Sequence, residues 1–468
     1  MAELLSQLQD RADKDWLVGG DSCTLANLAT QQAHVLTSQS ARSQWVLLVE
    51  SEPLAFLAGF VAAVATGQTV CLGNPGWGRQ EWQQVFAAVQ PDCILGHRPD
   101  PQYVEPSHSP PQLPTHPAIL IPTGGSSGRL RFAVHTWDTL MGSVTGFRQY
   151  FRRDRIDSYC VLPLYHVSGL MQFLRSFTSG GRLALQSFKA LETGNPLPLD
   201  PAQSFISLVP TQLQRLLTQT TQRSWLAQFS TVLLGGAPPW PSLLEQAHQA
   251  GIRLAPTYGM TETASQVATL LPKDFLNGRH NTCGPALPHA RITIRDAAGK
   301  PLGPDRIGSI GIRAKSLALG YWPPTEPAES TFLGSPPELQ TDDLGFWDAA
   351  GYLHVIGRGS DKIVTGGENV FPTEVEAALR ATQLVADVCV VGIPSVEWGQ
   401  AVAAIYVPAQ TNLDAIALKQ ALQDRLSRFK HPKHWIAVER LPRNTQGKVL
   451  RSQVLQLARQ AIETKHED

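Results

Sequence analysis

Early in the chain, short apolar runs alternate with helix-length segments: Trp45-Val-Leu-Leu-Val49, an apolar stretch over 54–66 after Pro53, Thr69-Val-Cys-Leu72, a helical pattern over 80–89, then Cys93-Ile-Leu95. No other feature restricts the fold as much. Strands that alternate with helices pair side by side and leave their faces to the helices, so the alternation predicts a mostly parallel α/β sheet. A second set, Tyr159-Cys-Val-Leu162, Ser204-Phe-Ile-Ser-Leu208 and Thr231-Val-Leu-Leu234, repeats the arrangement farther along. Between 290 and 347 the pattern changes to short alternating pieces, Arg291-Ile-Thr-Ile-Arg295 and Gly308-Ser-Ile-Gly-Ile-Arg313, set apart by Gly and Pro turns. That predicts a small antiparallel or barrel-like unit. After Gly357 the chain restarts with a helix over 373–381, strands over 385–391 and 401–407, and a helix over 413–427, the makings of a small α+β lobe.

At 468 residues the chain exceeds one ordinary core, and two or more domains are expected. Lys plus Arg and Asp plus Glu both number 39, with no block of one sign. This removes the electrostatic case for nucleic acid or an anionic membrane and leaves small molecules as the expected partners. Six scattered cysteines without a C-x-x-C pair fit reduced thiols better than a disulfide framework or a zinc site. Residues 1–15 carry acids and no apolar core, so no signal peptide is expected. The stretch 54–66 is too short to span a bilayer. The chain reads as cytoplasmic, without a transmembrane segment.

Chemistry concentrates first in Ala255-Pro-Thr-Tyr-Gly-Met-Thr-Glu-Thr-Ala-Ser265, between a strand-like and a helical run. Thr261 can hydrogen-bond a phosphate oxygen, and Glu262 can hold a hard cation through oxygen, the ligand magnesium prefers. Upstream, Ala118-Ile-Leu-Ile-Pro122 reads as a strand running into Thr123-Gly-Gly-Ser-Ser-Gly128-Arg-Leu-Arg131. Glycines let such a backbone wrap a polyanion while hydroxyls and amides point inward, although no Gly-Lys-Ser/Thr makes it a Walker motif. Gly124-x-Ser126-x-Gly128 also matches the nucleophile elbow of α/β-hydrolases, with Ser126 as an ester-cleaving nucleophile that needs no ATP. An elbow requires a helix after the serine, whereas Leu130-Arg-Phe-Ala-Val-His135 alternates like a strand, so the hydrolase is the lesser alternative.

Tyr-Gly-Met-Thr-Glu262 resembles the signature of the adenylate-forming superfamily, which holds acyl-CoA synthetases, luciferases and peptide-synthetase adenylation domains. Further segments follow in the superfamily's order from 119 to 451. The Gly/Ser loop resembles Thr-Ser-Gly-Thr-Thr-Gly-Lys-Pro-Lys-Gly, with Gly124 for Ser, Leu130 for Pro, Arg131 for Lys and Phe132 for Gly. Pro163-Leu-Tyr-His166-Val-Ser-Gly-Leu170 is similar to Pro-Leu-Phe-His, and Leu234-Gly-Gly-Ala-Pro238 to a Gly-Gly-Ala stretch. Thr341-Asp-Asp343-Leu-Gly345 is similar to Thr-Gly-Asp-Leu-Gly, with Asp342 in the glycine's place. Gly357-Arg358-Gly-Ser-Asp361-Lys-Ile-Val-Thr-Gly366-Gly367-Glu-Asn369 resembles the hinge motif, and Pro442-Arg-Asn-Thr-Gln-Gly447-Lys448-Val-Leu-Arg451 the catalytic-lysine motif.

The resemblance implies a large N-terminal domain over 1–357, made of two α/β subdomains plus the barrel-like unit. A small mobile α+β lobe over 358–468 would swing about Asp361. ATP, magnesium and coenzyme A are implied as co-substrates, with a carboxylic acid as substrate. Lys448, His166 and Thr261 are implied as catalytic residues, and Glu262 as the metal ligand. ATP is expected on Thr123, Gly124, Gly125, Ser126, Ser127, Gly128 and Arg131 in the loop, and on Gly235, Gly236 and Ala237. It is expected also on Tyr258, Gly259, Thr261 and Lys448, with Asp343 and Arg358 on its ribose. His166, Ser168 and Gly235 would line the acyl site, and Gly366 and Gly367 would meet the pantetheine arm. Short length, the variant loop and Gly-Gly-Glu-Asn-Val-Phe-Pro372 are most like the ligases acting on o-succinylbenzoate in menaquinone or phylloquinone synthesis, the phototroph form in particular. Another aryl- or medium-chain acyl-CoA synthetase is the next expectation, and a free-standing amino-acid adenylation domain the third.

Overall fold

The computed structural model describes residues 3–39, 44–99, 117–124, 130–324, 332–334, 337–395, 397–411, 413–423, 425–444 and 447–467, and every structural statement below is made of these. Two α/β sheets lie on either side of a shared layer of helices. The first runs, in spatial order, Tyr321–Trp322, Leu130–His135, Ile119–Gly124, Thr69–Leu72, Trp45–Val49 and Cys93–Gly96. Its last four strands are parallel, and Leu130–His135 turns back antiparallel on Ile119–Gly124. The second runs Leu17–Val18, Leu183–Leu185, Asp157–Cys160, Ser204–Leu208, Thr231–Leu234, Leu254–Met260 and Ser265–Thr269, parallel except at the final pair.

Side-chain alternation builds the layers. Val46 and Leu48 enter a core shared with helices Ser22–Gln39, Pro53–Ala65 and Val167–Thr178, whereas Trp45, Leu47 and Val49 face a separate cluster under helix Arg79–Ala88. Leu17, Cys160 and Leu183 of the second sheet meet the same central core from the other side, and Val18, Tyr159 and Ala184 face outward. Helix Pro53–Ala65 is buried along most of its length between the sheets, which accounts for its apolar sequence. It starts where Pro53 removes a surplus donor and the Glu52 carboxylate takes the Ala55 N–H at 3.0 Å. Among the described residues no helix is long and apolar enough to cross a membrane.

The expected antiparallel unit is a sheet of Ala290–Arg295, Gly308–Ala314, Glu338–Trp347 and Phe332–Leu333, with Leu353–Arg358 paired to Glu338–Trp347. Beyond it Ile363–Thr365, Glu368–Val370, Val385–Ser395, Gly399–Pro408 and His434–Ala437 form a last sheet. Helices Pro372–Ala381 and Ala415–Leu422 pack on one face and Arg451–Glu467 on the other. The helix expected over 413–427 runs only Ala415–Leu422, and at its start the Asp414 side chain accepts the Ile416 N–H and caps it.

Two local readings change. After Glu262 the chain does not enter a helix but reverses into the antiparallel strand Ser265–Thr269. Ala264 and Ser265 both take left-handed conformations, φ 48° and 91°, which no Gly or Pro announces. The strands then pass so closely that a Cβ at Gly259 would lie 2.2 Å from the Ser265 carbonyl oxygen. The helix that the hydrolase's elbow needs is not found where the described chain resumes: Leu130–His135 is a strand, with Thr123 and Gly124 paired antiparallel to Arg131 and Leu130.

Candidate active site

The turn carrying Thr261 and Glu262 is fixed from behind. His135, fully buried, meets the Thr261 carbonyl at 2.8 Å through Nε2 and the Thr139 hydroxyl at 3.0 Å through Nδ1. Burial lowers its pKa to about 4. The neutral ring therefore gives its Nε2–H to Thr261 and receives the Thr139 hydroxyl on Nδ1. Ser143 donates to the Ala264 carbonyl at 2.6 Å, and the Ala318 N–H to the Glu262 carbonyl at 2.8 Å. Glu262 itself accepts the Tyr321 hydroxyl at 2.7 Å, and the Arg131 guanidinium lies over the Tyr321 ring. The second Glu262 oxygen meets no donor among the described residues. No group of three or more metal-ligating side chains occurs among the described residues, and Glu262 is the carboxylate at this turn that could take part in holding a magnesium ion.

Tyr258, Asp343 and Arg358 form the next layer. The Tyr258 hydroxyl donates to Asp343 at 2.7 Å, and burial with the Asp343 charge pushes its pKa well up, so it stays a donor. Asp343 stands across the sheet from Arg358, 3.7 Å from its Nε. Lys448 joins them from the far lobe. Its side chain keeps contact with solvent, yet burial and Arg358 draw its pKa below the usual lysine range, against Asp343, Asp361 and Glu262. Its loop sits against the larger unit: a Cβ at Gly447 would come within 3.2 Å of Thr211 Oγ1. Asp361 pairs with Arg451 at 3.4 Å, and Arg451 also holds Glu376 at 2.7 Å.

Gly235, Gly236 and Ala237 follow strand Thr231–Leu234, and a Cβ at Gly235 would lie 2.5 Å from Thr257 Oγ1. Their backbone is thus held beside the strand that carries Tyr258. His166 caps helix Val167–Thr178, with a pKa lowered to about 4 by burial and an Nε2 that has no partner. Ser168, Gln172 and Arg175 share one helix face by spacing. Arg175 is fully buried and has no carboxylate. Its Nη2 donates to Ser265 Oγ and Gln266 Oε1, each at 3.1 Å, and its guanidinium lies over Phe147, while its Nε is unpartnered. Burial pulls its pKa down to about 9. Buried polar atoms of Gln172, Gln266 and His289 are unpartnered as well, and Arg175 helps burial lower His289 to about 4.

The structure therefore brings together Arg131, Tyr258, Thr261, Glu262, Asp343, Arg358 and Lys448, with Asp361 beside them. Gly125, Ser126, Ser127 and Gly128 lie outside the described residues; Thr123 and Gly124 lead into that loop. Gly366 and Gly367 are not brought into this cluster. They form an exposed hairpin turn, with Gly366 close to the Trp398 ring. Sequence reasoning missed His135, Tyr321, Arg175, Gln266 and His289. Tyr321 and His135 are single residues without a local pattern. Arg175 offered one usable signal, a lone cation in an otherwise apolar helical stretch, Leu170-Met-Gln-Phe-Leu-Arg175.

A nucleotide cleft built on two α/β sheets, with a lysine reaching in from a further lobe, defines an adenylate-forming enzyme, and the chain belongs to the AMP-binding enzyme family. The model of the AMP-binding enzymes matches residues 95–322, and that of their C-terminal domain residues 374–448. The 2-succinylbenzoate–CoA ligase of Geobacillus kaustophilus is 32% identical over 342 residues, 73% of this chain and 69% of that protein. The fold matches o-succinylbenzoate CoA synthetase from Bacillus subtilis in complex with its acyl-adenylate intermediate, TM-score 0.80 at 24% identity over 96% of this chain and 97% of that one. A double mutant of the same enzyme bound with a product analogue scores 0.66 at 24% identity over 97% of each chain.

Proposed function

We propose that the protein is an ATP-dependent acid–thiol ligase that adenylates o-succinylbenzoate and transfers the acyl group to coenzyme A, a step of menaquinone or phylloquinone synthesis. A carboxylate is a poor electrophile. In the first step its oxygen attacks the α-phosphorus of ATP and pyrophosphate leaves; in the second the CoA sulfur attacks the acyl carbon and AMP leaves. Asp343 and Arg358 hold the ribose, the Gly235–Ala237 backbone faces the base and the acid, and Thr261 binds a phosphate oxygen. Loop residues 123–128 with Arg131 take the remaining phosphates. Glu262 would hold a magnesium ion, which would supply charge withdrawal from those phosphates. The Lys448 ammonium offsets charge that builds between the carboxylate and the α-phosphate, a preorganised contribution of the kind that dominates many active sites. The larger domain ends near 357. The lobe beyond it turns about Asp361, withdrawing Lys448 and presenting Gly366 and Gly367 to pantetheine, a gating step between two chemistries. The Lys448 loop, lying against the larger unit where a Cβ at Gly447 would stand 3.2 Å from Thr211 Oγ1, supports the adenylating orientation for the structure described.

One observation carries the substrate: Arg175, a buried guanidinium without an acid, stands beside the Thr261 turn on the helix that His166 begins. An unpaired buried charge is costly unless a ligand supplies its partner. A substrate with a second carboxylate does so, and o-succinylbenzoate, on which the curated relative is named to act, has one. A site built to bind a polar group rejects analogues lacking it by roughly 10⁴-fold in good cases. CoA thioester and AMP formation, followed by mass spectrometry, should therefore be fastest with o-succinylbenzoate. Benzoate, coumarate or octanoate reaching the same kcat/KM would remove the substrate assignment and leave the ligase reading in place.

A further inference from the structure

Thr341-Asp342-Asp343 carries an acid where the resembling motif has glycine, and the reaction above uses only Asp343. Asp342 has a different set of contacts. Its two carboxylate oxygens accept the Ser360 N–H at 3.1 and 3.2 Å, and one of them also accepts the Ser360 hydroxyl. The Asp342 carbonyl takes the Gly359 N–H at 2.7 Å. Gly359 is tightly placed, since a Cβ there would stand 3.1 Å from Asp342 Oδ1. The two clasped residues lie between Arg358, which faces Asp343, and Asp361, which faces Arg451 in the lobe. Glycine at 342 would offer Ser360 no acceptor and would free the segment that leads into the pivot.

We propose that Asp342 is a positioning residue: its clasp on Ser360 favours the lobe orientation in which Lys448 faces Asp343 and Glu262, and it opens when the lobe turns. This rests on the two-orientation reading above. Contacts bias an equilibrium only through the difference they make between its two states, so the clasp acts on the ratio of the half-reactions. The Ser360 hydroxyl is the part most exposed to that difference, because rotation at the pivot's neighbour swings it away from the carboxylate.

The test compares two single-turnover rates, pyrophosphate release without CoA and thioester formation from supplied o-succinylbenzoyl-adenylate. In Asp342→Gly the ratio of the two should shift about five-fold toward thioester formation, the scale of an exposed charged contact. Ser360→Ala should shift it the same way. Asp342→Asn, which keeps an acceptor, should shift it less, and the double variant Asp342→Gly/Ser360→Ala no further than either single one. Both rates changing by the same factor, or neither changing, overturns the clasp. Asp361→Pro serves as the control, because proline fixes φ at the pivot and should cripple the thioester step selectively. If it fails to separate the two steps, the two-orientation reading falls and the clasp with it. If it separates them while Asp342→Gly does not, only the clasp is lost.

Discussion

The two halves of the cleft differ in how their polar groups are satisfied. On the nucleotide side Tyr258 donates to Asp343, Asp343 faces Arg358, Glu262 takes the Tyr321 hydroxyl, and the Thr261 carbonyl takes a buried neutral imidazole. Around the helix that His166 begins, the proposed acyl side, buried atoms of His166, Gln172, Arg175, Gln266 and His289 have no partner. The described groups of the first half are held in place by contacts with one another. The second carries a desolvated cation and several idle donors and acceptors, a state that costs stability until something polar arrives. Under the proposed function the contrast locates specificity: ATP would meet groups already held by one another, and the acid would supply partners to groups that lack them.

The largest break in that contrast comes at the residue bridging the halves. Lys448→Ala should lower adenylation by roughly 10²–10³-fold, about the loss of one preorganised oxyanion donor, while thioester formation from supplied acyl-adenylate is largely spared. Equal losses in both half-reactions would contradict the assigned role. The same residue sets a pH signature. Its pKa is lowered by burial and by Arg358, and the charged form is the active one, so adenylation should fall with rising pH before an ordinary lysine would deprotonate. His166 adds no acid limb near 6.5, because burial holds it at about 4 and the ring is neutral throughout the working range. An acid limb at 6.5 that vanishes in His166→Asn would show the opposite.

A smaller effect sharpens the nucleotide side. Tyr258→Phe removes the hydroxyl donated to Asp343 and leaves that carboxylate with Arg358. KM for ATP should rise about ten-fold, the scale of a hydrogen bond to a charged group, while selectivity among acids stays unchanged. A change in acid selectivity would mean that the two halves are not independent.

The same division separates what the sequence revealed from what it hid. Strand and helix alternation made both parallel sheets legible, because a strand buried on both faces leaves a contiguous apolar run, as in Trp45–Val49. That Tyr258, Glu262 and Asp343 come together was legible too, since they lie in short contiguous stretches such as Tyr258 to Glu262 and Thr341 to Gly345. Arg175, Gln266 and His289 come from three distant segments that meet only in the folded chain, and no local pattern marks their meeting. Tyr321 reaches Glu262 because a two-residue edge strand returns to Leu130–His135 across most of the larger domain. The turn after Glu262 was misread for a different reason: its reversal depends on two left-handed non-glycine residues, Ala264 and Ser265, whose conformation tertiary contacts such as the Ser143 hydrogen bond enforce.

ATP–pyrophosphate exchange, measured with o-succinylbenzoate and with its analogue lacking the ring carboxylate, in the wild type and in Arg175→Met, tests the unfinished acyl half most directly. Arg175→Met should cut kcat/KM for o-succinylbenzoate by about 10²-fold, as expected when one partner of a buried charge pair is lost, and leave the analogue nearly unaffected, so that the preference between the two collapses. The ligand-free variant should melt close to the wild type, because removing a buried charge that had no acid beside it offsets the loss of its bonds to Ser265 Oγ and Gln266 Oε1. An undiminished preference for o-succinylbenzoate in Arg175→Met, or an equal loss with both acids, would contradict a carboxylate on Arg175.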